Sequence, residues 1–316
     1  MSRIRVLYIL GWGRSGSTVL GNILGEVDGF FSAGELHYLW ERSLLEGRAC
    51  GCGQDVRTCE VWSAVLAEIG VGTSVDVDVV VAWLREVLRI RATPRLLRQR
   101  PGATLEPPAL ASYAALTDRL YDAVAEVTGA RVVVDSSKIP ADAALLRLLP
   151  SVDASYVQLV RDPRAVAYSW SRAKEQRDPR APATMRTHGP LDSGVNWSMW
   201  NLAAEALARE VGPDRFLRVR YEDLIDDPRE TVRRIVTMVG ERDAELPFLD
   251  DRTVRLRANH TVSGNPDRFT TGPVSLRSDD RWRGAQRRLD RWGTVALTAP
   301  LMLRYGYRLR ASSASR

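Results

Sequence analysis

The run Ile4-Arg5-Val6-Leu7-Tyr8-Ile9-Leu10 is apolar and β-rich, the eight residues after it are Gly11-Trp12-Gly13-Arg14-Ser15-Gly16-Ser17-Thr18, and Thr18-Val19-Leu20 opens an amphipathic helix. Strand, glycine-rich loop and helix in that order form a phosphate-binding loop. Glycine lets the backbone wrap closely around an anion, and the free N–H groups and dipole at a helix start favour negative charge. Arg14 adds a full positive charge, so Arg14, Ser15, Gly16, Ser17 and Thr18 are candidate anion-binding residues. The spacing from Gly11 to Thr18 departs from the nucleoside-triphosphatase pattern at one position, where Ser17 replaces the lysine that reaches the β- and γ-phosphates. That argues for an anion with a less charged terminus and no magnesium bridge.

The same rhythm continues. Arg131 to Val134, Tyr156 to Val160 and Phe216 to Val219 read as short buried strands, and Ala141 to Leu149 as a helix. Continuous apolar strands separated by helices specify an α/β fold, a parallel β-sheet flanked by helices. We expect a single domain over 1–310, with a helical insertion at about 41–128 that includes a helical pattern from Val79 to Ile90. A lid loop is expected at about 172–193, and a disordered tail at 311–316. No internal repeat is visible.

The formal charge is +6, from 45 basic and 39 acidic residues, with a pI near 9.5. The charges are interspersed and no aromatic platform accompanies them, which favours a small anionic ligand over nucleic acid. Only two lysines occur, Lys138 and Lys174, so a lysine at a strand end attracts notice. No secretion signal or run of 18 apolar residues appears, so a cytoplasmic protein without a transmembrane segment is expected. Cys50, Cys52 and Cys59 are one short of a four-cysteine zinc site. A zinc ion would need a histidine from elsewhere, formally His37 or His260, and the reading adopted is a structural or incidental cluster near the acceptor mouth with no metal.

Three further segments carry a family resemblance. Val157 to Ser169 resembles the 3′-phosphate motif of sulfotransferases that use 3′-phosphoadenosine 5′-phosphosulfate (PAPS), in which a strand ends in arginine and a serine lies eight positions later. Arg161 and Ser169 keep that spacing, and a guanidinium fork with a neighbouring hydroxyl suits a phosphate. Arg220-Tyr221-Glu222-Asp223-Leu224 looks like the family stretch whose tyrosine lies near the adenine. Gly264-Asn265-Pro266-Asp267-Arg268-Phe269 is similar to the late loop of the bacterial branch, which implies a contribution of Arg268 to the 3′-phosphate. The resemblance touches both ends and the middle of the chain and covers 41–128 only loosely. It implies a P-loop-like sulfotransferase fold and transfer of a sulfonate from PAPS to a hydroxyl, with adenosine 3′,5′-bisphosphate as product and no metal.

Sulfonyl transfer needs an aligned hydroxyl, a base for its proton and positive charge at the leaving oxygen. Glu35, expected at the carboxyl end of the second strand, matches the general base of the carbohydrate and tyrosylprotein branch. His37 is the local rival, histidine being the base in the small-phenol branch. Lys138 ends Asp135-Ser136-Ser137-Lys138, which resembles a signature of bacterial members, and with Arg14 is assigned to the transferring group. The acceptor, a glycan, glycolipid or small natural product, is left to the insertion and lid. Trp40, Trp62, Trp83, Trp170, Trp197 and Trp200 are the candidates to line its pocket, most of them expected in the core. The alternatives are a P-loop phosphotransferase using ATP and magnesium, and a regulatory nucleotide-binding module without transfer activity.

Overall fold

The computed structural model describes residues 3–173, 175–176, 178–180 and 183–309, so the tail at 311–316, Lys174 and parts of the expected lid lie outside the described residues. Strand β1 (Ile4–Leu10) feeds helix α1 (Ser17–Leu24) and strand β2 (Phe30–Gly34) follows. A long excursion then carries α2 (Glu60–Glu68), α3 (Val77–Val87), α4 (Thr93–Arg98) and α5 (Pro108–Thr128) before β3 (Val132–Lys138). Next come α6 (Pro140–Leu146), β4 (Val152–Val160), α7 (Pro163–Ser171) and a two-residue ladder of β5 (Glu175–Gln176) with β6 (Ala183–Thr184). After α8 (Pro190–Val211), β7 (Phe216–Arg220), α9 (Tyr221–Asp226) and α10 (Pro228–Met238), the hairpin of β8 (Thr253–Leu256) and β9 (Gly272–Ser275) precedes α11 (Trp282–Ala285) and α12 (Arg288–Arg304).

Five strands form one sheet in the order β2-β3-β1-β4-β7, every pairing parallel. Parallel strands buried on both faces need continuous apolar runs. Val6 to Leu10 and Val132 to Val134 supply them, all with no exposed surface. One face packs with the excursion helices in a core that joins Val6, Tyr8 and Val133 to Trp62, Leu84 and Leu120. The other joins Leu7 and Ile9 to α1 and α10. The helical stretch between β2 and β3 thus shares the core of the sheet.

After β1 the chain crosses towards β3 and β2, whereas after β4 it turns the other way, towards β7. The carboxyl ends of β1 and β4 therefore flank a switch point, where open α/β sheets bind ligands. The loop at 11–16 leaves one side of that crevice and Arg161 the other. At the same end, Leu10 stands in register with Lys138 on one side and Gln158 on the other. Among the described residues no helix is long and apolar enough to cross a membrane.

Candidate active site

Among the described residues, the non-glycine positions with left-handed backbone are Arg14 (φ 68°), Lys138 (φ 71°) and Ser263 (φ 56°). Such a conformation costs about 1 kcal/mol or more and persists where its surroundings over-determine it. Arg14 and Lys138 border one site, and the Ser263 hydroxyl accepts from Arg42, which borders it too.

The turn after β3 shows how. Asp135 Oδ1 accepts from the main-chain N–H of Ser137 at 2.8 Å and from its hydroxyl, and Tyr121 donates its hydroxyl to Oδ2 at 2.6 Å. Ser136 donates to the carbonyl of Gly34 at 3.1 Å, and the N–H of His37 donates to the Ser137 hydroxyl at 3.0 Å. The two serines thus lock the end of β3 to the end of β2, and Lys138 Nζ lies 2.5 Å from Glu35 Oε1 and 2.7 Å from the carbonyl of Ser136. Burial pushes the Asp135 carboxyl up to about 6.

Glu35 is buried, and its N–H donates to the carbonyl of Val262 at 2.8 Å. Arg42, on the π-helical turn Leu39–Leu45, approaches Glu35 Oε2 at 3.4 Å and donates to the Ser263 hydroxyl at 3.0 Å. Burial alone would raise the Glu35 carboxyl, but the charges of Lys138 and Arg42 outweigh it and hold the group below its ordinary value. Glu35 is therefore an ionised acceptor at neutral pH. His37 lies outside this cluster, its Nδ1 2.8 Å from Asp142 Oδ2.

Glu35, Lys138, Arg42, Arg14, Ser17 and Thr18 border a cavity of about 580 Å³. Trp12, Trp170 and Trp200 form its aromatic wall, with His188 edge-on to Trp12 and Trp170. Arg14 Nε and Trp12 Nε1 are buried and find no hydrogen-bond partner among the described residues. A second cavity, about 440 Å³, meets the first at Arg14, Gly16 and Asn265 and is bordered by Arg161, Ser169 and Tyr221. The Arg161 guanidinium lies 4.4 Å from the Tyr221 ring centre and donates to the carbonyls of Arg14 and Asp279, each at 3.2 Å. Gly16 is required here: its φ is 94°, and a Cβ would lie 2.6 Å from the Tyr221 ring.

Two tryptophans fix these donor segments. Trp170 Nε1 donates to the carbonyl of Gly13 and buried Trp197 Nε1 to that of Arg161, each at 3.1 Å. Trp40, Trp62 and Trp197 are core residues and Trp83 is partly buried, so of the six candidates Trp170 and Trp200 border the cavity. Elsewhere in the loop, Ser15 donates to the carbonyl of Trp12 at 2.7 Å, and Thr18 accepts from the N–H of Asn265 at 3.4 Å.

One expected contact differs. Arg268 is 2% exposed and borders neither cavity; its guanidinium donates to Asp178 at 3.0 Å and to the carbonyl of Thr261 at 3.1 Å. Paired in the interior, this guanidinium braces the late loop. The sequence reading also missed Arg42, Ser263, Trp12 and His188. Arg42 had a signal, a cation two helical turns beyond Glu35; the other three depended on long-range packing.

A model described as the sulfotransferase family matches residues 7–245. Carbohydrate sulfotransferase 2 of Homo sapiens is 32% identical over 124 residues, a match that spans 29% of this chain and 23% of that protein. Its Mus musculus counterpart matches equally. Among solved structures, the sulfotransferase domain from the curacin biosynthetic pathway shares the fold at a TM-score of 0.53 and 17% identity, over 98% of this chain and 100% of that one. The sulfotransferase domain of the Synechococcus PCC 7002 olefin synthase aligns over 98% of this chain and 97% of that one at 22% identity, with a TM-score of 0.49.

Proposed function

The chain belongs to the sulfotransferase family, and from that premise we propose that it moves the sulfonate of PAPS to a hydroxyl of a glycan, glycolipid or small natural product, with Glu35 as general base. The observation that carries this reading is the ionised Glu35 beside Lys138 on one cavity wall, continuous through Arg14 and Gly16 with a second cavity bordered by Arg161, Ser169 and Tyr221. The donor set suits a nucleotide bearing separate anionic groups: Arg14 and the N–H groups at the start of α1 serve one, Arg161 with Ser169 the other. The unpartnered Arg14 Nε agrees with an anion there.

When bound, PAPS supplies the activated sulfonate and adenosine 3′,5′-bisphosphate as leaving group. Lys138 Nζ has three N–H donors, two of them engaged by Glu35 and Ser136, which leaves one for the transferring group or the leaving oxygen. Arg14 adds charge from the opposite loop. Glu35 takes the acceptor proton at Oε2, because Lys138 holds Oε1 at 2.5 Å whereas Arg42 approaches Oε2 only at 3.4 Å and leaves it a lone pair. A carboxylate held below its usual range is a weak base, so it receives the proton late, once the attacking oxygen has become acidic through bonding to sulfur. The wall of Trp12, Trp170 and Trp200 offers flat apolar faces and one free indole N–H, a combination suited to a sugar ring or another amphipathic acceptor.

A mass-spectrometric screen of hydroxyl acceptors with PAPS tests the reading. One acceptor should gain a single SO3 group, and Glu35→Gln and Lys138→Ala should each lower kcat at saturating PAPS by about 10²- to 10⁴-fold. Near-normal turnover in both variants would overturn the assigned roles.

A further inference from the structure

Cys50, Cys52 and Cys59 stand with His260 so that one ligand atom from each, three Sγ and an imidazole nitrogen, lies within 4.8 Å of the others. We propose that this cluster is a structural zinc site of the Cys3His type, which staples the helical excursion to the segment beside Glu35. The sequence reading took the cysteines as a metal-free cluster with no partner fixed; the fold brings in His260 as the fourth group and ties His37 to Asp142 instead.

The distances carry the proposal. Tetrahedral zinc with Zn–S near 2.3 Å and Zn–N near 2.0 Å sets its ligand atoms about 3.5 to 3.8 Å apart. Cys50 Sγ lies 3.6 Å from Cys59 Sγ, and His260 Nδ1 lies 3.2 Å from Cys59 Sγ and 4.0 Å from Cys50 Sγ. These are edges of such a tetrahedron. A Cys50–Cys59 disulfide would need its sulfurs at about 2.05 Å, and all three cysteines are free.

The supporting structure is that of a built site. Cys50 and Cys52 project from a tight turn in which Gly53 N–H donates to the Cys50 carbonyl and Cys50 N–H to the Gln54 carbonyl, both at 2.8 Å. Cys59 is the N-cap of α2, where the helix dipole favours a thiolate. Gly51, between the first two ligands, donates its N–H to the Thr261 carbonyl at 2.9 Å, and a Cβ there would fall 2.0 Å from Asn259 Oδ1. His260 is fixed through its carbonyl by the Trp62 indole, and its second nitrogen, Nε2, faces Glu60 at 3.5 Å. A carboxylate behind the far nitrogen of a ligating histidine is a usual partner in zinc sites. On binding, the three thiols release their protons to solvent and no redox change occurs.

The staple spans 201 residues between Cys59 and His260. His260 lies two residues before Val262, whose carbonyl accepts from Glu35 N–H and whose N–H donates to the Ala33 carbonyl. Arg268 and Asp178 brace the same corner, for the Asp178 carboxylate accepts from the N–H of Ala49, the residue before Cys50, at 3.2 Å. Zinc therefore acts by holding the strip that lines up Glu35.

The test is elemental analysis of the full chain purified under reducing conditions without added metal. About one zinc per chain is expected, falling below about a tenth in Cys59→Ser and His260→Ala but retained in Lys138→Ala, whatever the fate of sulfonate transfer. Because the ligand variants can fail by misfolding, the wild-type chain is also exchanged with cobalt. Thiolate-to-cobalt charge-transfer absorption with intense tetrahedral d–d bands is expected. Wild-type chain that carries no zinc and takes up neither zinc nor cobalt, or that holds a Cys50–Cys59 disulfide in its intact mass under non-reducing conditions, would overturn the proposal.

Discussion

Lys138 carries two demands at once: it holds Glu35 Oε1 at 2.5 Å and keeps a left-handed backbone that Asp135, Ser136 and Ser137 impose on it. Its charge is a main reason the Glu35 carboxyl stays below its ordinary value against the pull of burial. The acid limb of kcat/KM, which reports the free enzyme, should therefore lie below the usual glutamate value of about 4.3. In Lys138→Ala the same limb should move to higher pH, because burial is then opposed by Arg42 and Arg268 without the lysine; a pH profile of residual activity checks this. Asp135 behaves in the opposite sense. Its folded value is raised to about 6 against an ordinary value near 3.9, so its contribution to stability is present below the ordinary value and is lost as pH rises through the folded one. Between about pH 8 and about pH 5, wild type should gain about 1 kcal/mol relative to Asp135→Asn, read by urea denaturation of both.

At the scale of elements, the donor site is the meeting of two strand ends. The loop after β1 and the arginine after β4 converge because their connections leave the sheet in opposite directions. Gly16 lets the loop approach Tyr221, so Gly16→Ala forces both left-handed backbone strain and a clash with the ring. It should weaken nucleotide binding at least tenfold, about 1.4 kcal/mol, measured by titration with adenosine 3′,5′-bisphosphate. Arg161→Ala should raise the KM for PAPS more than it lowers kcat, since the guanidinium lies in the cavity away from Glu35. These elements were legible in the sequence because they are local. Ile4 to Leu10 is apolar but for Arg5 and forms a strand with the expected bounds, and the helix that follows opens at Ser17, one residue before the expected Thr18. The site was legible where a residue follows a strand directly, as Glu35 follows β2. It was not legible where the partner comes from far along the chain: Ser263 and His188 reach their places only through tertiary packing, which also selects His260 over His37 beside the cysteines, and no spacing rule encodes that. The burial of Arg268 was not legible for the same reason, its partner Asp178 lying 90 residues away.

At the scale of the molecule, one core runs from the sheet into the excursion between β2 and β3, so the segment least covered by the family resemblance is packed as part of the same body. The corner that holds Cys50, Cys59, His260 and Asp178 abuts the strip running to Ser263, and that strip meets Glu35 on one side and the loop at Gly264 and Asn265 on the other. Donor recognition can be measured without knowing the acceptor. Isothermal titration of the full chain with adenosine 3′,5′-bisphosphate and no added magnesium should give one-site binding in the micromolar range, weakened at least tenfold in Arg161→Ala. No binding of that nucleotide, together with magnesium-dependent binding of ATP, would contradict the account.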